Sequence, residues 1–64
     1  MSANNYIKII EQPDHTFIVG MRDADTNTNL GDWRRAKTLR DAIKTANKML
    51  VENPVEYGLY IDLV

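Results

Sequence analysis

Alternating apolar and polar positions near the N-terminus predict a hairpin of two β-strands. Residues 5–11 place Ile7 and Ile9 on one face and more polar side chains on the other, which is the pattern of a half-buried strand. The run QPDH at residues 12–15 is typical of a turn, because proline presets φ and aspartate tolerates the next position. Residues 16–22 alternate again and are predicted to form the returning strand.

The middle of the chain predicts a polar loop followed by a third strand. The run DADTNTN at residues 23–29 consists of residues that favour turns. Residues 30–37 are expected to form a strand centred on Trp33, although their alternation is not clean. We expect Trp33 to complete the core, and its exposure on the outer face of the sheet is the alternative.

The clearest pattern in the chain is that of an amphipathic helix. Thr38 is a good N-cap, and Asp41 three residues later completes a pair that resembles a capping box. The dipeptide Asn53-Pro54 ends the helix, because a residue before proline avoids the α conformation. Between these limits, apolar side chains recur at helical spacing and form one stripe that faces the sheet. The stripe consists of Leu39, Ala42, Ile43, Ala46, Met49 and Leu50.

A last strand is predicted over residues 55–63, where apolar and polar side chains alternate once more. The element order β-β-β-α-β predicts an α+β domain, in which one helix covers one face of an antiparallel sheet of three to four strands. A length of 64 residues allows a single domain, residues 1–64. We expect residues 1–4 to be flexible.

With only one helix, the second face of the sheet has no cover from this chain. We expect the covered face to take Ile7, Ile9, Tyr57, Leu59 and Ile61. By alternation the uncovered face then carries Tyr6, Lys8, Ile10 and Tyr60. Exposed aromatic side chains of this kind stack on bases, contact a protein or close a homodimer.

The charge of the chain is close to balanced, at −1, but it is unevenly placed. Residues 33–48 contain six basic side chains and one acidic side chain. The basic side chains are Arg34, Arg35, Lys37, Arg40, Lys44 and Lys48. The last three recur every four residues and form a stripe opposite the apolar stripe of the helix. This stripe is either a solvated helix face or a basic patch for an anionic partner.

The chain offers few side chains for catalysis. It has one histidine, His15 in the predicted turn, one serine, Ser2 near the N-terminus, and no cysteine. A nucleophile–base pair cannot be assembled from these residues, so we expect no enzymatic activity and no cofactor.

The polar loop at residues 23–29 has oxygen ligands at alternate positions, like the start of a calcium-binding EF-hand loop. However, Thr28 replaces the glycine that such a loop requires, and Arg34 replaces its bidentate glutamate. A solvated turn is therefore favoured over a metal site.

The location of the chain is predicted from its composition. Absence of cysteine fits a reducing compartment, and the N-terminus lacks the basic and apolar regions of a signal peptide. No apolar run approaches the length of a membrane span. We expect a cytoplasmic protein that does not associate with a membrane.

Residues 17–47 resemble the three-strand-plus-helix DNA-binding domains of the ethylene-response-factor and integrase-arm type. The resemblance rests on the runs FIVGMRDADTNTN and TLRDAIKTA, with Trp33 between them. In that family the sheet enters the major groove, so the resemblance implies that Arg22 and Trp33 contact DNA, with Arg34 and Arg35 nearby. The predicted strand after the helix departs from the family pattern.

The chain is also similar in outline to the HicB-type antitoxin half-fold, in which three strands lead into a Thr-capped, Ala-rich helix and a further strand. That family neutralises a protein partner. We therefore predict a small non-catalytic binding protein, of a phage or accessory type, that inhibits or regulates a protein through the six basic residues above and through Tyr6 and Tyr60. The alternative is DNA or RNA binding through the sheet face and residues 33–48. A homodimer through the uncovered face fits either function.

Overall fold

The computed structural model describes residues 4–53, 55 and 57–63, and its first three strands form an antiparallel meander. The strands are β1 (Asn5–Glu11), β2 (Phe17–Asp23) and β3 (Asn29–Ala36). The three strands predicted for this part of the chain are confirmed, with bounds that differ by no more than one residue.

The turn between β1 and β2 fixes the register of the hairpin. The Gln12 N–H donates to the Thr16 carbonyl at 2.7 Å, and His15 takes a left-handed conformation with φ 67. The Asp14 carboxylate accepts from the Thr16 N–H and hydroxyl at 3.1 and 2.6 Å. As a result Ile9 lies opposite Val19, and both side chains belong to the same face.

An irregularity in β3 explains why its alternation is not clean in the sequence. Val19 lies opposite Arg34, whereas Met21 lies opposite Leu30, so residues 31–33 of β3 face a single residue of β2. Gly31 adopts φ 65 within this bulge, a conformation that glycine reaches without a steric penalty.

The single helix, α1 (Leu39–Glu52), begins and ends where the sequence predicts. The Thr38 hydroxyl accepts from the Asp41 N–H at 3.1 Å, which satisfies one of the unpaired amide groups of the first turn. Asn53 donates from its N–H to the Met49 carbonyl at 2.9 Å and ends the helix in an extended conformation. Pro54, the other half of the predicted stop, lies outside the described residues.

The core lies between α1 and one face of the sheet. Its buried residues are Ile7, Ile9, Phe17, Val19, Ala36, Ala42, Ala46 and Met49. Because three of them are alanines, the helix lies close to the strands. Ile7, Ile9 and Val19 have no exposed surface, and full burial of such a side chain stabilises the fold by about 1.5–3 kcal/mol.

The last strand, β4 (Leu59–Asp62), adds to the outer side of β1 and gives the strand order β3-β2-β1-β4. β4 runs parallel to β1, which is possible because α1 supplies the long crossover that a parallel pair requires. The α+β class and the order β-β-β-α-β are confirmed, and the β1–β4 pair makes the sheet mixed rather than purely antiparallel. β4 is shorter than the predicted strand at residues 55–63, which includes Glu56, outside the described residues.

Of the residues predicted for the covered face, Tyr57 lies on the opposite face and Ile61 is only partly covered. Gly58 adopts φ 76 immediately before β4, so the alternation of the strand does not extend back to Tyr57. Tyr57 is half exposed and lines the opposite face of the sheet. Ile61 has the predicted orientation but remains 45% exposed, because α1 packs mainly over the other three strands.

Candidate functional site

The face of the sheet opposite α1 is not covered by any other element of the described chain, and we call it the open face. It is built from the residues of each strand that alternate with the core residues. In addition to Gly20, its described residues are Tyr6, Lys8 and Ile10 of β1, Ile18 and Arg22 of β2, Trp33 and Arg35 of β3, and Tyr60 and Asp62 of β4. The prediction that Tyr6, Lys8, Ile10 and Tyr60 share a face agrees with this register.

Two side-chain pairs connect β1 and β4 on the open face. The rings of Tyr6 and Tyr60 pack edge to face, with centroids 5.0 Å apart and planes at 74°, a favourable arrangement of their quadrupoles. The Lys8 Nζ atom lies 3.6 Å from the Asp62 Oδ2 atom. Tyr60 remains 52% exposed. This part of the face therefore presents aromatic surface together with charges of both signs.

Three tyrosines surround a concavity of about 350 Å³ at one end of the open face. Its lining residues are Tyr6, Lys8, Ala24, Asn27, Tyr57 and Tyr60. A group that enters it meets aromatic rings for stacking, an ammonium group and a side-chain amide. Such a set of groups suits binding by stacking and hydrogen bonds.

Backbone hydrogen bonds hold the walls of the concavity against the start of β1. The Ala24 N–H donates to the Asn4 carbonyl at 2.6 Å, and the Tyr57 N–H donates to the Asn5 carbonyl at 3.1 Å. The side chain of Asn4 also donates to the Asp25 carboxylate. These bonds bring the β2–β3 loop and the segment before β4 to the same end of β1. The concavity is therefore largely preformed.

Sequence patterns did not indicate the walls of this concavity. Tyr57 was expected on the covered face, and only the conformation of Gly58 places it beside Tyr6. Asn27 lies in a loop where Asp and Asn residues indicate only a turn, and it adopts φ 57 there. The one available signal was the closeness of Tyr57 to Tyr60 in the sequence, with glycine between them.

Trp33 lies on the open face, and the expectation that it completes the core is wrong. The bulge in β3 places its ring over Gly20, where an added Cβ atom would overlap the ring. The guanidinium carbon of Arg22 lies 5.7 Å from the ring centre, within the range of a cation–π contact. The indole N–H is buried and has no hydrogen-bond partner among the described residues.

The basic residues predicted to bind a partner are divided between two sides of the molecule. Arg35 lies opposite Ile18 and therefore belongs to the open face, whereas Arg34 lies opposite Val19 and is directed to the helix side. Arg22 and Trp33, which the resemblance to DNA-binding domains implies as contacts, are adjacent on the open face.

Basic side chains on and just before α1 form a second surface, which we call the helix stripe: Lys37, which precedes the N-cap, and Arg40, Lys44 and Lys48 of α1. All four are exposed, and the stripe faces away from the sheet because Ala42 and Ala46 face towards it. The last turn of α1 contains no basic residue, so the helix dipole does not account for the stripe. The ion pairs between described residues do not include any of these cations.

The other polar residues considered as site candidates lie in turns. The Asp23 carboxylate accepts from the N–H groups of Asp25 and Thr26 at 2.8 and 3.3 Å, as expected for a residue that stabilises a turn. His15 is exposed in the hairpin turn, with its Nδ1 atom 3.6 Å from Glu11. Within the described ranges, no group of three acidic or histidine side chains is placed to hold a metal ion.

Comparison of the chain with protein-family models, with curated proteins and with solved structures finds no match. The resemblances to DNA-binding domains and to antitoxins therefore stay predictions. No helix in the described part of the chain is long and apolar enough to cross a membrane.

Proposed function

We propose that this chain is a small non-catalytic binding protein that regulates or inhibits a protein partner through its open face. The observation that carries the proposal is the set of tyrosines around a preformed concavity on a sheet face that α1 does not cover. The solvated face of such a sheet is normally polar, whereas this one carries three tyrosines and Trp33.

The residue types on the open face favour a protein partner. Tyrosine, tryptophan and arginine are the residues that most often dominate the binding energy of protein interfaces. Tyr60, Trp33 and Arg22 lie on the same face here. The charges are mixed, since Lys8 is paired with Asp62, and the chain as a whole is at −1. Mixed charge suits recognition of a protein surface, where electrostatic complementarity selects the partner.

A regulatory role is consistent with the size and chemistry of the chain. A 64-residue domain is large enough to present a binding surface, and occupation of a partner's functional surface is sufficient to inhibit it. We include in the proposal that this regulation takes place in the cytoplasm, as the absence of cysteine leads us to expect.

The test is an affinity capture from cells of the source organism, with nuclease treatment and with two matched variants. The Tyr6→Ala/Tyr60→Ala variant removes aromatic surface from the open face. The Lys44→Glu/Lys48→Glu variant reverses charge on the helix stripe, on the other side of the molecule. Both variants alter exposed or half-exposed side chains, so circular dichroism should show that both fold.

We expect the wild type and the helix-stripe variant to retain one protein at a fixed stoichiometry, and the open-face variant to lose it. The activity of the captured protein should then fall on addition of the wild-type chain. If capture depends on Lys44 and Lys48 instead, the binding surface lies on α1. Absence of a nuclease-resistant protein partner would contradict the proposal as a whole.

Nucleic-acid binding is the second candidate, and the Arg22–Trp33 pair favours it. An aromatic ring beside a guanidinium group is the arrangement that binds single-stranded nucleic acid by stacking and phosphate contact, and Arg35 lies on the same face. The measurement is a titration of fluorescently labelled single-stranded and duplex oligonucleotides at increasing salt. Binding through several phosphates weakens steeply with salt. Undetectable binding at low salt rejects this candidate.

A further inference from the structure

The two edge strands of the sheet, β3 and β4, differ in the features that prevent a free edge from pairing with another strand. β3 contains the bulge at Gly31 and carries Asp32, Arg34 and Arg35. Bulges and charged side chains are features that prevent an edge strand from pairing with another chain. β4 has no bulge in its pairing with β1, and residues 59–63 read Leu-Tyr-Ile-Asp-Leu. The β4 edge thus has no bulge and carries one charged side chain, Asp62, where the β3 edge carries three.

The backbone of β4 directs alternate residues towards its free edge. The Gly58 carbonyl accepts from the Ile7 N–H at 2.8 Å, and this bond fixes which residues of β4 face β1 in a parallel pair. Tyr60 and Asp62 direct their backbone groups towards β1. The residues whose backbone groups face the free edge are Leu59, Ile61 and Leu63.

The same three residues are the apolar residues of this segment. Leu59 and Ile61 lie opposite Ile7 and Ile9, on the covered face, but α1 packs mainly over the other strands. Ile61 remains 45% exposed and Leu63 58% exposed. A strand edge that combines available backbone groups with exposed apolar side chains is a template for another strand.

We propose that β4 pairs with β4 of a second copy of this chain, in an antiparallel ladder centred on Ile61. In this register Leu59 lies opposite Leu63 of the second copy, and the two Ile61 residues lie opposite each other. Three apolar pairs then lie on the helix side of this β4–β4 seam, the line along which the two copies meet. On the open face, Tyr60 lies opposite Asp62 of the second copy, so no like charges are directly opposed.

Other centres are less favourable for the same ladder. A centre on Asp62 would place two carboxylates directly opposite each other, which destabilises a strand pair. A centre on Tyr60 would place Gly58, which has φ 76 and is not extended, opposite Asp62. The centre on Ile61 uses only the segment at residues 59–63 and forms the paired hydrogen bonds from residues that already face outwards.

The proposed dimer leaves the open face available, so it does not depend on the function proposed above. The two sheets join into one sheet of eight strands. The concavities of the two copies lie near the seam, because Tyr60 contributes to both the concavity and the ladder. The proposed dimer uses the edge of the sheet, whereas the homodimer expected from the sequence uses the uncovered face.

Sedimentation equilibrium over a concentration series tests the dimer. We expect a monomer–dimer equilibrium for the wild type, which the Ile61→Lys variant should weaken by roughly a hundredfold or more, because a buried apolar contact is lost from both copies. The control is Val51→Lys, since Val51 is an 87% exposed apolar residue on α1. Leu63→Lys gives a second test if the first variant does not fold.

A wild-type chain that stays monomeric at millimolar concentration would overturn the proposal. So would a dimer that Ile61→Lys and Leu63→Lys leave intact while both variants keep the circular dichroism spectrum of the wild type.

Disulfide cross-linking tests the register, and the absence of native cysteine removes any background. In a hydrogen-bonded antiparallel pair the opposed Cα atoms are about 5.5 Å apart, within the range of a disulfide. The Ile61→Cys variant should therefore form a covalent dimer on oxidation. The two copies of Leu63 are about 14 Å apart in this register, so Leu63→Cys should cross-link no faster than the Val51→Cys control. Faster cross-linking through Tyr60→Cys than through Ile61→Cys would refute the centre on Ile61.

Discussion

The two faces of the sheet are built from the same strands but have different compositions. The buried residues of the covered face are all apolar, and Ile7, Ile9 and Val19 have no exposed surface. The open face carries aromatic and charged side chains, and Tyr6 and Trp33 remain partly exposed. Because neighbouring residues of one strand belong to opposite faces, core residues and open-face residues alternate along each strand.

This difference indicates which positions of the fold tolerate substitution. The covered face supplies the apolar burial that a small domain needs, and such a domain has only about 3–5 kcal/mol of net stability. The open face contributes less burial and is therefore available for a partner. Substitutions on the two faces should therefore differ in their effect on the free energy of unfolding.

The largest expected effect is at Ile9. Ile9→Ala should lower the free energy of unfolding by about 2–5 kcal/mol, because it removes a fully buried side chain and leaves a cavity. The neighbouring Ile10→Ala on the open face should cost only about 1 kcal/mol, since Ile10 is half buried. Urea unfolding followed by circular dichroism measures both values.

The milder pair Ile9→Val and Ile10→Val keeps the comparison measurable if Ile9→Ala does not fold. Ile9→Val should still cost about 0.5–1.5 kcal/mol, and Ile10→Val less. An equal loss in the free energy of unfolding at the two positions would mean that residues of the open face are packed as tightly as residues of the core.

The next effect is at Gly20, where the open face is tightly packed against the Trp33 ring. Gly20→Ala should lower the free energy of unfolding by about 1–3 kcal/mol, because the new methyl group overlaps the Trp33 ring and displaces it. Trp33 is the only tryptophan of the chain, so its fluorescence should shift as well.

The control for this prediction is the Trp33→Ala background, in which the same substitution at Gly20 should cost almost nothing. The expected result is strong non-additivity in the double-mutant cycle, as for residues in contact. Additive costs in urea unfolding would show that Gly20 is constrained by something other than the ring.

A smaller effect is expected for the Tyr6–Tyr60 pair. A double-mutant cycle with Tyr6→Leu and Tyr60→Leu should give a coupling of about 0.5–1.5 kcal/mol, as for edge-to-face rings at this distance. A cycle of Tyr6→Leu with Ile18→Ala, on another part of the open face, serves as the control and should give almost no coupling. Coupling of the same size in both cycles would mean that the whole open face responds together.

Local signals made most of the fold predictable. Thr38 and Asn53 delimit the helix through hydrogen bonds to residues three or four positions away, and the β1–β2 turn acts over a similar distance. Patterns of this range are present in the sequence itself. The alternation of apolar and polar residues in β1 and in β4 correctly predicted that Tyr6 and Tyr60 lie on the open face.

The features that the sequence did not predict depend on packing between residues that are far apart in the chain. The parallel placement of β4 depends on which sheet edge the crossover reaches, and no local pattern encodes that choice. Trp33 lies outside the core because the β3 bulge shifts the alternation of the strand and places the ring over Gly20 of β2. The basic stripe was predicted correctly as a feature of the helix, but its separation from the tyrosines follows from the side of the sheet on which α1 packs.

The turn between β1 and β2 belongs to neither face and holds both in register, so its loss should affect them together. Hydrogen bonds from the Thr16 hydroxyl and N–H lower the pKa of Asp14 below its ordinary value of 3.8. A group with a depressed folded-state pKa stabilises the fold above its unfolded-state pKa, and this contribution disappears as the pH falls through the folded-state value.

We therefore expect the difference in free energy of unfolding between the wild type and Asp14→Asn to be constant near neutral pH and to shrink below pH 3.8. The effect is the smallest of the series, because the carboxylate is exposed and well solvated. Urea unfolding at neutral and acidic pH measures it, with Asp32→Asn at an exposed position of β3 as a control. Circular dichroism and Trp33 fluorescence should report the same change, since the turn sets one register for both faces. A difference that does not change on acidification would show that the bonds to Thr16 do not favour the ionised carboxylate, and disagreement between the two signals would show that the faces unfold separately.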